Sequence, residues 1–434
     1  MLLSLLLFLC LQGQSYIVPD EKPNIPVVHP NVGKTLVTDD LQVMFVARKS
    51  NYACAPEESL DADIDSPKSV NVHPTEQKYY VNNLEGCNTV VYDLQTGENL
   101  KVITHQLGDT HAHLWAPQSG FYKFKYTYSK PNNFSGKPVE STLSHDGRYL
   151  WVPYYRRTYD LNAQEPSAMA VIDTKADTIV KLFETGPLPK MVAVSNDQTR
   201  LAVTHWGNNT VGILDIASSN PDEWKYIANL VVDYELRLNF SRTEKVDRDS
   251  NSGYCLRGTV FTPDGKYLLV GCMGGGGGIA VIELENNRYL GRILGPMPSL
   301  RHIVIKNGYL YASINSSGYV QRIPLETLYA KIQSLNGSTS KQVTVTDWVS
   351  CKVPAGARTI QLTPDGKYIF VACNVGSALA VVDAQTMKLL GTISADSFPV
   401  GLDISQDGSY VFTTSQGRRG FGGNSVNIFE IKYL

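Results

Sequence analysis

Two stretches far apart in the chain nearly superpose, TVFTPDGKYLLVGC at 259–272 and TIQLTPDGKYIFVAC at 359–373. Each reads as a short strand, a Pro-Asp-Gly turn and a second strand. A third strand follows in both, IAVIEL (279–284) or LAVVDA (379–384), and then a fourth. The turn glycine supplies the positive φ of a tight hairpin, and the alternating apolar residues cover both faces of a small sheet. Weaker copies begin with STLSHDGRYLWVPY (141–154), MVAVSNDQTRLAVTH (191–205), HIVIKNGYLYASI (302–314) and GLDISQDGSYVFTTS (401–415). Six units are legible, starting near residues 138, 187, 256, 297, 355 and 397.

Four antiparallel strands cannot keep both faces of their sheet dry alone. Repeated radially, each sheet packs on its neighbours and a closed ring results, a β-propeller. The last unit shows only three strands, so closure needs a strand from earlier in the chain. The span 136–434 suits seven blades of roughly 40–45 residues, with 187–255 and 297–354 oversized. The Pro-Asp-Gly turn, the strand after it and the xVxVID-like third strand resemble the YVTN-type bacterial β-propeller repeat over about two-thirds of the chain. That resemblance implies a fold and leaves function open.

The residues before 138 follow another pattern. After a Pro-x-Ser-Gly turn, Phe121, Tyr122, Phe124, Tyr126 and Tyr128 alternate along 113–129, which resembles a late strand of an immunoglobulin-like sandwich. With LQVMFVARK (41–49) in front, an Ig-like β-sandwich is expected over 30–130, and SKPNNFSGKP (129–138) reads as a linker. The competing reading makes 78–102 one more blade, although it lacks the Pro-Asp-Gly turn. The expected fold class is therefore all-β, an N-terminal Ig-like β-sandwich followed by a seven-bladed β-propeller. MLLSLLLFLCLQGQS (1–15) reads as a signal peptide without a basic start, and Cys10 offers a lipid site poorly flanked by Leu9. This combination resembles a leptospiral surface antigen of that two-domain build, which implies an envelope protein that binds other proteins.

With 39 basic and 41 acidic residues in 434, the net charge of −2 excludes a general electrostatic grip on nucleic acid. HExxH and GxSxG are absent, and VGKT (32–35) lacks the first glycine of a phosphate loop. Gly274–Gly278 reads as a pliant hairpin tip. His111 and His113 would face one way on a strand, but nothing at fixed spacing adds a third metal ligand. Neither cofactor nor metal is expected. Cys272 and Cys373 end equivalent strands as buried hydrophobes, and Cys54 with Cys87 is the disulfide to test first.

Aligning the inner strands on their turns puts Lys190, Arg257, Arg301 and Arg358 at one repeat position, where the other two units carry Val139 and Val400. The position opens the innermost strand, at the mouth of the central channel. Repeated cations there would focus positive potential on a carboxylate or phosphate. Loops on the same face bring Tyr154, Tyr155, Arg156, Arg157, His205, Trp206, Arg418 and Arg419, residue types that anchor interfaces. The alternative is that each cation pairs with an acid such as Glu140, Asp233 or Asp403 and ties blades together. The expected function is a non-enzymatic, exported, surface-associated protein that binds a protein or an anionic glycan, with membrane contact only through an N-terminal anchor. The rival is a lactonase-like hydrolase at the channel mouth, with Arg301 and Arg358 steadying an oxyanion and His205 or His302 moving the proton.

Overall fold

The computed structural model describes residues 27–28, 32–51, 58–336, 338–418 and 422–434. The expected signal segment 1–15, Cys54 and Arg419 lie outside the described residues. Seven sheets, each built on four or more antiparallel strands and three of them with an added parallel strand, follow one another around a ring. The first six blades occupy 67–104, 134–185, 189–231, 256–294, 300–352 and 357–394. The seventh is built from Pro399–Ile404, Tyr410–Ser415 and Ser425–Tyr433, and its outer strand is Leu41–Ser50 from the start of the chain. The early strand demanded by the incomplete last unit is thus present. Phe45 stacks on Phe429 with ring centroids 4.8 Å apart at this closure.

Why a ring forms is visible in the core. Seven clusters of buried apolar residues each join two neighbouring blades. One of them places Val70, Tyr79 and Val81 of the first blade against Phe412 and Val426 of the seventh. Each such side chain removed from water contributes about 1.5–3 kcal/mol, and only a neighbouring sheet can cover it. The repeated turn is locked locally. Thr262 and Thr363 donate their hydroxyls to Asp264 and Asp365 at 2.6 Å, and the N–H groups of Lys266 and Lys367 donate to the same carboxylates. Gly265 and Gly366 take φ of 68° and 75° in these turns, where a side chain would be strained.

The Ig-like sandwich expected over 30–130 is not what these residues build. Leu41–Ser50 belongs to the last blade, and 67–104 is a complete four-stranded blade whose turn is closed by His73 instead of an aspartate. The propeller therefore does not begin at 136. Of the expected linker, Phe134–Pro138 is a strand paired with Tyr149–Arg157. The alternating aromatics at 121–128 form no strand. Glu165 accepts the N–H groups of Lys125 and Tyr126 and the Tyr128 hydroxyl, and so binds this segment to the second blade. Alternation of aromatic residues signals a strand only where a sheet edge is free to pair, and here a carboxylate takes the backbone donors.

The two oversized units are blades with excursions. Residues 232–255, which join the third blade to the fourth, lie over the second and third, where Arg248 donates to the carbonyls of Asn162, Ala163 and Gly207. Leu325–Leu335, the one α-helix among the described residues, leaves the fifth blade and buries Leu325, Leu328, Ile332 and Leu335 against its neighbour. Gly275–Gly278 all have positive φ in a hairpin tip, as expected. His111 and His113 sit in a 3-10 turn (Asp109–Leu114) and not on a strand, and the described residues hold no group of three or more metal-ligating side chains. Cys272 and Cys373 are fully buried free thiols, while Cys87 is a half-buried one. No helix among the described residues is long and apolar enough to cross a membrane.

Candidate functional site: a cationic channel mouth

The inner strand of six of the seven blades opens with the same backbone device. Ser66, Leu188, Cys255, Ser299, Gly356 and Phe398 have positive φ. Two residues later the pairing with the second strand slips, between Pro67 and Ser69, Pro189 and Met191, Leu256 and Thr259, Leu300 and His302, Ala357 and Ile360, and Pro399 and Gly401. A bulge re-aims the side chain it carries. The bulged residues are Lys68, Lys190, Arg257, Arg301, Arg358 and Val400. A left-handed leucine or phenylalanine costs of order 1–3 kcal/mol and persists only where the surroundings hold it.

The four cations aligned from the sequence therefore do meet, and Lys68 of the first blade joins them. Its signal was the match of Pro67-Lys68 with Pro189-Lys190, hidden because the first blade turns through His73-Pro74-Thr75-Glu76, unlike the other units. Lys68, Lys190, Arg257 and Arg358 are 8%, 5%, 4% and 5% exposed, and Arg301 is half-buried. Among the described residues a single carboxylate is ion-paired with them. Arg257 Nη1 donates to Glu140 Oε1 at 2.8 Å, and Arg358 Nη2 lies 3.9 Å from the same oxygen. The other two acids considered are engaged elsewhere. Asp233 takes Arg292 and the hydroxyls of Tyr254 and Tyr289. Asp403 accepts the N–H groups of Val72 and Ile404.

Aromatic faces replace the missing acids. The Lys190 ammonium lies 3.9 Å from the centroid of the Tyr155 ring and 5.3 Å from that of Trp206, whose other approach is by Arg257 at 4.6 Å. Arg301 Nη1 contacts the Met273 sulfur at 3.4 Å. Burial, and then the charge of Arg358, hold the Lys68 amine well below its ordinary range. Burial and Arg257 do the same to Lys190, and they pull Arg358 down to about 10. Burial alone would raise the Glu140 carboxyl, but Arg257, Lys68, Arg358 and Lys190 outweigh it and keep it far below the usual carboxylate range. Asp249, on the exposed loop of the 232–255 excursion, acts on the same cations from farther off. Like charges gathered away from water repel strongly, and one carboxylate offsets them here.

Several expected surface anchors are internal instead. Tyr154 is buried, its hydroxyl 3.0 Å from His105 Nδ1. Trp206 is buried as the platform under the cations, with its indole N–H directed at the Arg248 carbonyl. His205 is buried, 2.8 Å from the Thr210 hydroxyl and against the Tyr122 ring, and burial drops it to about 3. Arg157 is wedged among Trp115, Phe124 and Phe134 and donates to the carbonyls of Pro131, Pro166 and Ser167. Arg156 donates to the Asp160 carbonyl and remains half-buried, and Arg418 is exposed. The sequence expected loops here, but Tyr154, Arg156 and Arg157 lie on the strand Tyr149–Arg157 and His205 ends the strand Arg200–His205. The excursions at 109–133 and 232–255 cover Arg157, His205 and Trp206, and Tyr154 is a core side chain between the first and second blades. Of the two histidines in the hydrolase alternative, His302 lines the channel cavity and His205 does not.

No known family profile matches the chain. Over 203 residues it is 26% identical to "Antigen Lp49" of Leptospira interrogans, a stretch that covers 42% of this chain and 39% of that protein. The match thus spans well under half of the antigen's length. Among solved structures, Kuenenia stuttgartiensis hydrazine synthase superposes with a TM-score of 0.58 at 13% identity, covering 87% of this chain and 99% of that one. The β-propeller domain of Myceliophteria thermophila Cps50 (Swd1) gives 0.54 at 11%, covering 84% and 96%. At such identities the structures bear on fold alone, so the chain is a seven-bladed β-propeller with a distant likeness to a leptospiral antigen.

Proposed function

We propose that this chain is an exported, non-enzymatic recognition protein that receives an acidic group of a protein or anionic glycan at the channel mouth. One observation carries the reading: five cations converge on one paired carboxylate in a partly desolvated ring. Such an arrangement costs folding energy and is compensated when an anion binds. The distant antigen and the propeller fold, which presents loops from every blade on one face, fit a binding scaffold. Export and an envelope location rest on the leader-like N-terminal sequence and on that likeness.

Capture of the purified chain on heparin and polyglutamate, against dextran and polyglutamine, tests this. The anionic surfaces should retain it, with retention falling steeply as salt rises, and Arg301→Ala should weaken retention without lowering stability. Equal retention on charged and neutral surfaces, or indifference to Arg301→Ala, would sink the proposal.

A further inference from the structure

The mouth opens into a cavity of about 280 Å³ bounded by Glu140, Arg257, Arg301, His302, Arg358 and Asp403 among others. That is room for several waters or one small acid. Three buried polar atoms of residues that line it have no hydrogen-bond partner: the donors Arg257 Nε and Arg358 Nη2 and the acceptor Glu140 Oε2. Both arginines are more than nine-tenths buried. Both approach Glu140 Oε1, at 2.8 Å and 3.9 Å, so the three unsatisfied atoms belong to one cluster.

A buried polar group without a partner is costly, and more so when charged. Two unsatisfied donors beside one unsatisfied carboxylate oxygen describe the complement of a ligand. It must bring acceptors for the guanidinium groups and a donor for Glu140. An ammonium donor is excluded by the surrounding Lys68, Lys190 and Arg301, whose charges would repel it. A neutral hydroxyl meets no such repulsion.

We infer that the cavity takes a small oxyanion bearing its own hydroxyl, with its charged oxygens on Arg257 and Arg358 and the hydroxyl donating to Glu140 Oε2. This rests on the mouth being an anion site, as proposed above, and narrows its ligand. Two sources share the chemistry, a 2-hydroxycarboxylate and monohydrogen phosphate. Anions of like charge that lack the hydroxyl leave Glu140 facing a bare oxygen, which is repulsive.

Isothermal titration calorimetry on the full chain in dilute chloride buffer at pH 7.5 compares malate with succinate and phosphate with sulfate. The hydroxyl-bearing member should bind about tenfold more tightly in at least one pair, and the pair that discriminates identifies the source. Glu140→Gln should tighten succinate and sulfate and shrink the gap to about threefold or less. Arg358→Lys should weaken the preferred anion, because an ammonium cannot reproduce the guanidinium fork. Should Glu140→Gln not fold, the wild-type gaps alone decide. Succinate and sulfate binding as tightly as malate and phosphate overturns the inference while the anion site stands. Silence with all four probes, with heparin still captured, overturns the inference alone; loss of heparin capture as well removes the proposed function too.

Discussion

Arg157 and Arg358 are both buried guanidinium groups of the same propeller, and they are held in opposite ways. Arg157 meets three carbonyl oxygens and lies among three aromatic rings, so its charge is solvated by the protein. Arg358 has a donor without an acceptor and other cations near it. The first is a rivet that holds the 109–133 excursion to the second blade. The second belongs to a group of cations that repel one another around a single paired acid. Burial alone does not tell how a guanidinium is held; the partners of its donors do.

The sharpest way to break this contrast is Arg157→Ala, which should cost about 3–5 kcal/mol by leaving buried carbonyls and a cavity. Urea unfolding measures it, and a loss below about 1 kcal/mol would show that the rivet is not one. Glu140→Gln should cost roughly 3 kcal/mol, since it removes the one paired acid from among five cations. Adding Lys68→Met to that variant should recover part of the loss, because a repelled cation goes with it. Alone, Lys68→Met should stabilise the free protein by about 1 kcal/mol and give no gain when heparin is saturating. Destabilisation by Lys68→Met would mean that the cations are mutually satisfied after all.

Two pH experiments sharpen the comparison further. The amines of Lys68 and Lys190 lie below their ordinary range in the fold, so the unfolded chain holds more protons between their folded values and about 10.5. Stability should therefore rise with pH through that window. The melting temperature should increase from pH 7.5 to 9.5 in the wild type and less in the Lys68→Met, Lys190→Met pair. The smallest effect concerns Asp403, whose carboxyl burial raises to about 6. As pH falls through 6 it loses its charge inside the cavity, and anion affinity should improve by a few-fold. Asp403→Asn should bind at the improved level at both pH values, and an unchanged slope in that variant would assign the effect to another group.

Much of the ring was legible because its signals are local. Asp264 and Asp365 satisfy the N–H two residues on and a hydroxyl two residues back, so the turn is written in adjacent letters. The blade at 67–104 was harder, since His73 performs that task there. Lys68 was missed with it, although Pro67-Lys68 repeats Pro189-Lys190. The expected loop anchors are placed otherwise for a different cause. Tyr154, Arg157, His205 and Trp206 resemble interface anchors in composition, but the first three lie on strands, and whether such a residue is exposed depends on segments that come to lie over it.

Strand alternation, the turn chemistry and the need for a borrowed strand were determined by the sequence itself, because each rests on contacts within a hairpin or on a plain deficit of strands. Four of the five converging cations follow from the same periodicity. Only the tertiary structure decided that residues 41–50 supply the borrowed strand, that 67–104 is a seventh sheet and that one carboxylate serves the whole cluster. Those outcomes depend on which groups distant in the chain exclude water from one another, and pairing at long range leaves no local pattern to read.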